Sequence, residues 1–321
     1  MGCVHYGPDA VLKWLDYPGC IVAVRQAMAA FSASETAQPL RAIIPLAPLK
    51  VLAVMPGFLM PDGHLGPFGG KIISVVRNPE NPGRSKHQGL VVVFDPDNGA
   101  LICTADAGEV TEIRTAAASA VATDALARPD ARRLTIIGAG AQARSHIEAL
   151  RHVRDLEEVR IWARDVGKAQ IFAAEMAGVT GLKVIAIDSA ELACQGADII
   201  CTTTGASEPV LFRKWVEAGT HINIVGSSGA GPVEIDTDLV VASRYIADSR
   251  RSVLAAGAEF LIAKEAGLIG DDHIVAEIGE VLNGNSVGRQ NDQDITLYKS
   301  LGHVVQDLCS AAYIHQKAQG L

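Results

Sequence analysis

The chain has 321 residues, 49% of them hydrophobic and 20% charged, with 31 glycines and few aromatics. That length exceeds the usual single core and predicts two domains, and an Ala- and Gly-rich composition suits tight packing of helices on a sheet. A formal charge of −8 with no basic stripe excludes nucleic acid as a partner. No apolar run approaches the roughly 18 residues that span a bilayer, and no basic segment leading into an apolar one opens the chain, so a cytoplasmic protein with no membrane partner is expected. The six cysteines (Cys3, Cys20, Cys103, Cys194, Cys201, Cys309) show no C-x-x-C pair and no metal-type spacing with histidine. They read as small hydrophobes in a reducing compartment, and no metal is expected.

Short strands are predicted through the first 115 residues, at Ile43-Ile44, Lys50–Val54, Gly70–Val76 and Gly89–Phe94, parted by Pro, Gly, Asn and Asp turns. Asn98-Gly99 marks a hairpin between Leu90–Phe94 and Ala100–Ala105. The pattern predicts an antiparallel α+β domain. Three cations here have apolar or small neighbours: Arg41 in Gln38-Pro-Leu-Arg-Ala-Ile-Ile, Lys71 in Phe68-Gly-Gly-Lys-Ile-Ile-Ser-Val-Val, and Arg114 in Glu112-Ile-Arg-Thr-Ala-Ala-Ala. An ammonium at the head of so apolar a strand needs an anion beside it. Singly, each is most simply a surface charge or half of an internal ion pair. Together they would make a pocket for a carboxylate, with Lys71 also able to hand over a proton. Met55, Phe58 and the 57–70 loop would shape the rest of that pocket.

Near position 134 the pattern changes. Leu134-Thr-Ile-Ile has β character and runs straight into Gly138, Gly140 and Ala143, with a helical pattern from Gln142 to about Val153. Gly138 allows a sharp turn off the strand, Gly140 lets backbone N–H groups approach a pyrophosphate, and Ala143 lets helix and strand pack closely. The helix start at Ala141 and Gln142 presents its unpaired N–H groups and positive dipole end to the phosphates. A dinucleotide is therefore expected here. The next strand, Val159–Ala163, ends where an NAD-type site would place Asp or Glu for the ribose 2′-hydroxyl. Ala163 cannot serve, and Arg164 follows with a fork of donors suited to a 2′-phosphate. NADP is expected, with NAD possible because Asp165 could reach the ribose from one position further on.

Beyond this point strands and helices alternate: Leu182–Ile187, a helix over 190–195, Ile199–Thr204, His221–Val225, and further apolar runs at Leu239–Val241 and Tyr245–Ala247. Such alternation predicts a Rossmann-type, doubly wound parallel sheet over 117–293. Asp294 to Leu321 is read as one apolar-periodic helix (Leu297, Leu301, Val304, Val305, Leu308, Ala312) that packs back on the first domain.

Taken together, several segments resemble the ornithine cyclodeaminase/mu-crystallin family over essentially the whole length. They are Pro39-Leu-Arg41, Val54-Met-Pro56, Gly70-Lys71, Asn78-Pro79, His87-Gln-Gly89, Phe94-Asp95, Arg114-Thr-Ala-Ala117, Gly138-Ala-Gly-Ala-Gln-Ala143, Asn223-Ile-Val-Gly226, Glu277-Ile-Gly-Glu-Val281 and Thr296-Leu-Tyr-Lys-Ser300. Individually these are modest; in this order they are specific. The resemblance implies an α+β substrate-binding and dimerisation domain (1–116 with 294–321) beside the Rossmann domain, and a homodimer acting on α-amino or α-imino acids at a nicotinamide. It implies that Arg41, Lys71 and Arg114 hold the substrate carboxylate. It also implies cofactor contacts from His87, Arg114, the Gly138–Ala143 turn, Ala163 to Asp165, Thr202, Thr203, Val225 and Ser300.

One departure separates the chain from the cyclodeaminases, which carry an aspartate two residues after the glycine of the Val-Gly strand end. Here Val225-Gly-Ser-Ser-Gly229 puts Ser228 at that position, and a serine without a partner is a poor general base. Hydride transfer to a C=N carbon needs only an anchored carboxylate, a nicotinamide face and a proton source. The expected activity is an NAD(P)H-dependent imino-acid (ketimine) reductase or amino-acid dehydrogenase, an NAD(P)-dependent oxidoreductase acting on CH–NH or CH–NH2 groups of a small 2-imino acid, with Lys71 catalytic. The alternatives are an ornithine cyclodeaminase-type ammonia lyase and a non-catalytic NADPH-dependent binding protein.

Overall fold

The computed structural model describes residues 3–34, 38–48, 50–76, 87–227, 229 and 231–320. Of the positions named above, Asn78-Pro79, the His87 side chain and Ser228 lie outside the described residues. In chain order the elements are β1 (Val4–Tyr6), α1 (Pro8–Trp14), α2 (Tyr17–Ala33), β2 (Ala42–Ala47), β3 (Lys50–Phe58), β4 (Phe68–Val76), β5 (His87–Phe94), β6 (Leu101–Asp106), α3 (Ala107–Leu126), β7 (Arg133–Ile137), α4 (Ala141–Leu150), β8 (Glu158–Trp162) and α5 (Val166–Thr180). They continue with β9 (Val184–Ala186), α6 (Ala190–Cys194), β10 (Ile199–Thr202), β11 (His221–Ile224), α7 (Thr237–Ala242), β12 (Arg244–Ala247), α8 (Arg250–Ala256), α9 (Ala258–Glu265), β13 (Ile274–Glu277), α10 (Ile278–Leu282), β14 (Thr296–Lys299) and α11 (Val304–Gln319). They form two compact units, Met1–Arg114 with His303–Leu321, and Thr115–Gly302. No helix among the described residues is long and apolar enough to cross a membrane.

The first unit is built on a six-stranded sheet ordered β1-β6-β5-β4-β3-β2. The hairpin at Asn98-Gly99 is present: β5 and β6 pair antiparallel, and Gly99 takes the left-handed conformation (φ +69°) that such a turn demands. The sheet is mixed rather than wholly antiparallel, because the short β1 pairs parallel with β6. Strand alternation sorts the side chains. Lys71, Ile73, Val91, Val93, Cys103 and Ala105 are buried on one face, over which α11 packs, while Ile72 and Leu90 point the other way. Helix α11 also lies along α2, where Tyr313 and Lys317 both bond the Asp16 carboxylate that caps α2.

The second unit carries an eight-stranded, all-parallel sheet ordered β13-β12-β14-β11-β10-β7-β8-β9. Buried on both faces, its central strands read as near-continuous apolar runs such as Leu134-Thr-Ile-Ile and Ile199-Ile-Cys-Thr. Caps set the helix starts: Asp165, Ser189, Asp236 and Ser249 each accept a backbone N–H from the first turn of α5, α6, α7 and α8. The C-terminal end of α3 is closed by two arginines, Arg154 donating to the Thr123 and Ala127 carbonyls and Arg289 to that of Leu126.

The single helix expected over 294–321 is not present. Thr296–Lys299 is a strand inserted between β11 and β12, and the helix begins only at Val304, after Gly302 (φ +82°). Leu297 fitted the helical stripe by coincidence of spacing; it is a fully buried strand residue. Leu239–Val241 likewise lies in helix α7 and prolongs the helical half of the alternation.

Candidate active site

In the first unit two of the three cations, Lys71 and Arg114, converge on a single carboxylate. Lys71 stands in β4 directly across from Met55 of β3, so both project to the buried face of the sheet. Its Nζ donates to Asp307 Oδ1 at 2.8 Å and to Thr111 Oγ1 at 3.2 Å. Arg114, on α3, donates Nε to the same Asp307 oxygen at 3.0 Å and Nη1 to Gln306 Oε1 at 2.7 Å. Asp307 and Gln306 come from the first turn of α11, and all four side chains are buried. Burial pushes the Lys71 ammonium down to about 8; Asp307 opposes that fall, while Arg114 and Arg41 add to it. Burial alone would raise Asp307, but the charges of Arg114 and Lys71 outweigh it and hold this carboxyl below the usual range. Arg41 acts on both Lys71 and His303, placing its charge beside the cluster. Lys71 and Arg114 are thus brought together on an acid that the sequence reading overlooked, with Met55 across from Lys71 and the Arg41 charge felt at Lys71.

In the second unit the expected cofactor residues gather along the carboxyl edge of the parallel sheet. Gly138 follows β7, Ala163 follows β8, Thr202 ends β10 with Thr203 next, Val225 follows β11 and Ser300 follows β14. Strands β7, β8 and β9 run one way from the centre and β10 onward the other, so the β7/β10 boundary is the topological switch point at which open α/β sheets bind ligands. Gly138 has φ +132°, and a Cβ there would stand 2.6 Å from Thr203 Oγ1 and 3.0 Å from its carbonyl oxygen. Gly140 differs: a Cβ on it would meet nothing within 4 Å. It is the N-cap of α4 and supplies no side-chain acceptor, unlike the Asp and Ser caps of α5 to α8. Ala143 is fully buried where α4 meets the sheet. Ser300 has a buried hydroxyl with no partner among the described residues. A glycine cradle, an uncapped helix start and an orphaned hydroxyl on one sheet edge fit a dinucleotide.

At the tip of β8, Arg164 is exposed and makes no hydrogen bond or ion pair with the described residues. Asp165 is committed to capping α5, its Oδ1 accepting from Lys168 N at 3.0 Å. Behind the edge lies a buried polar framework that the sequence reading also missed. The Glu234 carboxylate accepts from Thr202 Oγ1, Thr204 N, Thr204 Oγ1 and Gly226 N at 2.6–2.8 Å, tying the ends of β10 and β11 together. Lys299 donates to the Ser227 carbonyl at 2.8 Å and pairs with Glu259 at 2.9 Å. A usable signal was present for two of them, since Lys299 in Leu297-Tyr-Lys-Ser-Leu301 and Asp307 in Val304-Val-Gln-Asp-Leu308 are charges with apolar neighbours, the feature that singles out Lys71.

A parallel sheet with this turn at its switch point, and a separate unit presenting a buried lysine beside a buried arginine, define the class: a Rossmann-like α/β protein with a second unit built on a six-stranded mixed sheet. Residues 11–321 match the model of the ornithine cyclodeaminase/mu-crystallin family, and the chain belongs to that family. It is 36% identical to ketimine reductase mu-crystallin of Mus musculus over 281 residues, covering 87% of this chain and 84% of that one. The fold superposes on Thermococcus litoralis Delta(1)-pyrroline-2-carboxylate reductase in complex with NADH and L-proline with a TM-score of 0.93, at 31% identity, over 99% of this chain and 98% of that one. An archaeal alanine dehydrogenase dimer with bound NAD gives a TM-score of 0.92 at 28% identity, over 100% of this chain and 97% of that one.

Proposed function

We propose that the protein is an NAD(P)H-dependent imino-acid reductase, acting in reverse as an amino-acid dehydrogenase, on a small 2-imino acid. The observation that carries this reading is Lys71: a buried ammonium whose proton affinity is lowered to about 8, set among guanidinium groups that suit a carboxylate. A lysine poised near neutral pH can give a proton to an imine nitrogen and recover it from solvent. Arg41 and the Nη2 of Arg114, which has no partner among the described residues, supply charge for the substrate carboxylate, and Met55 gives an apolar wall. Gly138, Gly140, Ala141, Gln142, Thr202, Thr203, Val225 and Ser300 would hold the dinucleotide, which when bound supplies hydride for the C=N carbon. Ketimine and pyrroline-2-carboxylate reductases among the relatives support the same reaction class.

Arg164 gives the cofactor preference. With Ala163 unable to accept from a ribose hydroxyl and Asp165 occupied as a cap, the guanidinium is the group left to meet a 2′-phosphate, and NADPH is the favoured reductant. The assembly is a homodimer formed through the first unit. Ile72 and Leu90 are register partners on the outward face of its sheet and are 47% and 39% exposed, and edge strand β2 exposes Ile43, Ile44 and Leu46. Apolar surface of this kind marks an interface, and one relative is described as a dimer. Light scattering at micromolar concentration is expected to give twice the monomer mass; a monomer overturns this assembly.

The test of activity follows absorbance at 340 nm with NADH and NADPH against cyclic imines, and against 2-oxo acids with ammonia or methylamine. Stoichiometric oxidation of the dinucleotide is expected. Release of ammonia and proline from ornithine with only catalytic NAD would establish a cyclodeaminase instead.

A further inference from the structure

We propose that Asp307 is a positioning residue of the reaction, holding Lys71 protonated and fixing Arg114 so that its Nη2 faces substrate; the reaction itself rests on the reductase reading above. The geometry is not that of a pair built for stability. An arginine–carboxylate pair optimised for strength uses both carboxylate oxygens against two parallel N–H donors. Here Lys71 and Arg114 both bond Oδ1, and the buried Oδ2 has no partner among the described residues. Buried ion pairs contribute little net stability for their desolvation cost, so one arranged this way points to another role.

That role follows from the neighbours. Lys71 is faced by Arg114 from α3, by Arg41 from the segment before β2, and by Asp307 from α11; the Thr111 hydroxyl is its other hydrogen-bond partner. His303, also on the α11 side, is pushed down to about 4 by burial and is neutral at working pH. Burial pushes the Cys20 thiol up to about 12 and raises that of Cys309 well above its ordinary value, so both remain uncharged. Asp307 is thus the anion that offsets two guanidinium groups at Lys71. When the Nζ–H bond breaks and an N–H bond forms at the imine nitrogen, Lys71 is left a neutral amine. The Asp307 charge is then still met by Arg114, so proton release leaves no buried charge unpaired. With Nε held by Asp307 and Nη1 by Gln306, Arg114 is restricted to offering a carboxylate its Nη2 end.

The experiment uses Asp307→Asn, which keeps shape and removes charge, together with Asp307→Glu. An opposite charge at this distance shifts a neighbour by about 1–3 pKa units. In Asp307→Asn the descending limb of kcat against pH for imine reduction is expected to move down by that amount. Turnover at pH 8 then falls roughly five-fold to several-hundred-fold and recovers as the medium is acidified. Affinity for NADPH, read by fluorescence, stays unchanged, and Asp307→Glu returns the limb toward wild type. In parallel, 13Cε-lysine NMR of the whole enzyme, with the Lys71 signal assigned by its loss in Lys71→Met, reads the same shift without turnover. A loss equal at every pH, or a Lys71 titration unmoved by Asp307→Asn, overturns the proposal. Should Asp307→Asn fail to fold, Asp307→Glu carries the test: its limb within about half a unit of wild type supports the assignment, and a pH-independent loss overturns it. A wild-type protein inert toward every imine, with the NMR shift present, would sink the reductase reading and leave Asp307 as keeper of the Lys71 proton.

Discussion

The two glycines of the β7–α4 turn should respond in opposite ways to the same added methyl group. In Gly138→Ala the new Cβ would lie 2.6 Å from Thr203 Oγ1 and 3.0 Å from Thr203 O, on a residue with φ +132°. Strain at such a φ costs about 1–3 kcal/mol, and forcing a methyl into packed surroundings costs a similar amount. For a unit of this size each 1 kcal/mol lowers Tm by roughly 2–4 °C, so a drop on the order of 5–20 °C is expected. Gly140→Ala meets nothing within 4 Å, and φ −117° suits any residue. Loss of a flexible glycine and loss of a tolerable N-cap nearly offset, so Tm should hold within about 2 °C. Yet this Cβ would occupy the space through which a pyrophosphate reaches the N–H groups of α4. Losing one charge-assisted hydrogen bond costs about 1.5–3 kcal/mol, a ten- to hundredfold weakening. Differential scanning fluorimetry and titration of dinucleotide fluorescence would read the two effects separately. Wild-type affinity in Gly140→Ala would refute the placement of the phosphates on this turn.

Three further outcomes are expected. Lys71→Met should lower turnover by about 10²–10⁴-fold with dinucleotide affinity intact, whereas Arg41→Ala should act mainly on the substrate KM, because a carboxylate keeps its charge from ground state to transition state; unaltered turnover in Lys71→Met would reduce Lys71 to an anchor. Arg164→Ala should raise the KM for NADPH and leave that for NADH in place, and a wild-type enzyme preferring NADH would contradict the role given to Arg164. Burial lowers His146 to about 4, His221 to about 3 and His303 to about 4, from 6.5 in each case. Below pH 6.5 the unfolded chain therefore binds protons that the folded one refuses, and stability falls with pH by up to about 1.4 kcal/mol per unit per histidine. Urea denaturation midpoints should decline steadily from pH 7 toward pH 4.5, and a flat profile would contradict burial of these rings as neutral groups.

The parts legible in the sequence were those with short-range physical signatures. Gly138 and Gly140 stand directly between a β-branched run and a helical one, and Asn98-Gly99 announces its hairpin, because backbone conformation there depends on the residue itself. The parallel sheet was legible from alternation, since each crossover repeats the same apolar pattern. Thr296–Lys299 was misread because a four-residue strand holds too few residues to separate a period of 2 from one of 3.6, and Leu297, Leu301 and Leu308 satisfied the helical spacing. The tertiary partner decided the matter: β14 fills a gap between β11 and β12 that no local rule reveals. Asp307 escaped for a related reason. The need of Lys71 for an anion was plain, but that anion lies 236 positions away, and only the fold brings the two together.

The position of β14 bears on how the protein is made. The last strand of the chain is not an edge strand; it joins β12 and β13 to the rest of the sheet, and without it the two would have no strand to pair with on that side. Helix α11, which covers the sheet of the first unit, begins five positions after β14 ends. Both cores therefore wait on residues 296–319, and a chain synthesised only as far as residue 295 has neither unit closed. Parallel pairing across such separations is slow and leaves strand edges open while it proceeds. Truncation shortly before residue 296 would therefore leave both units unfinished.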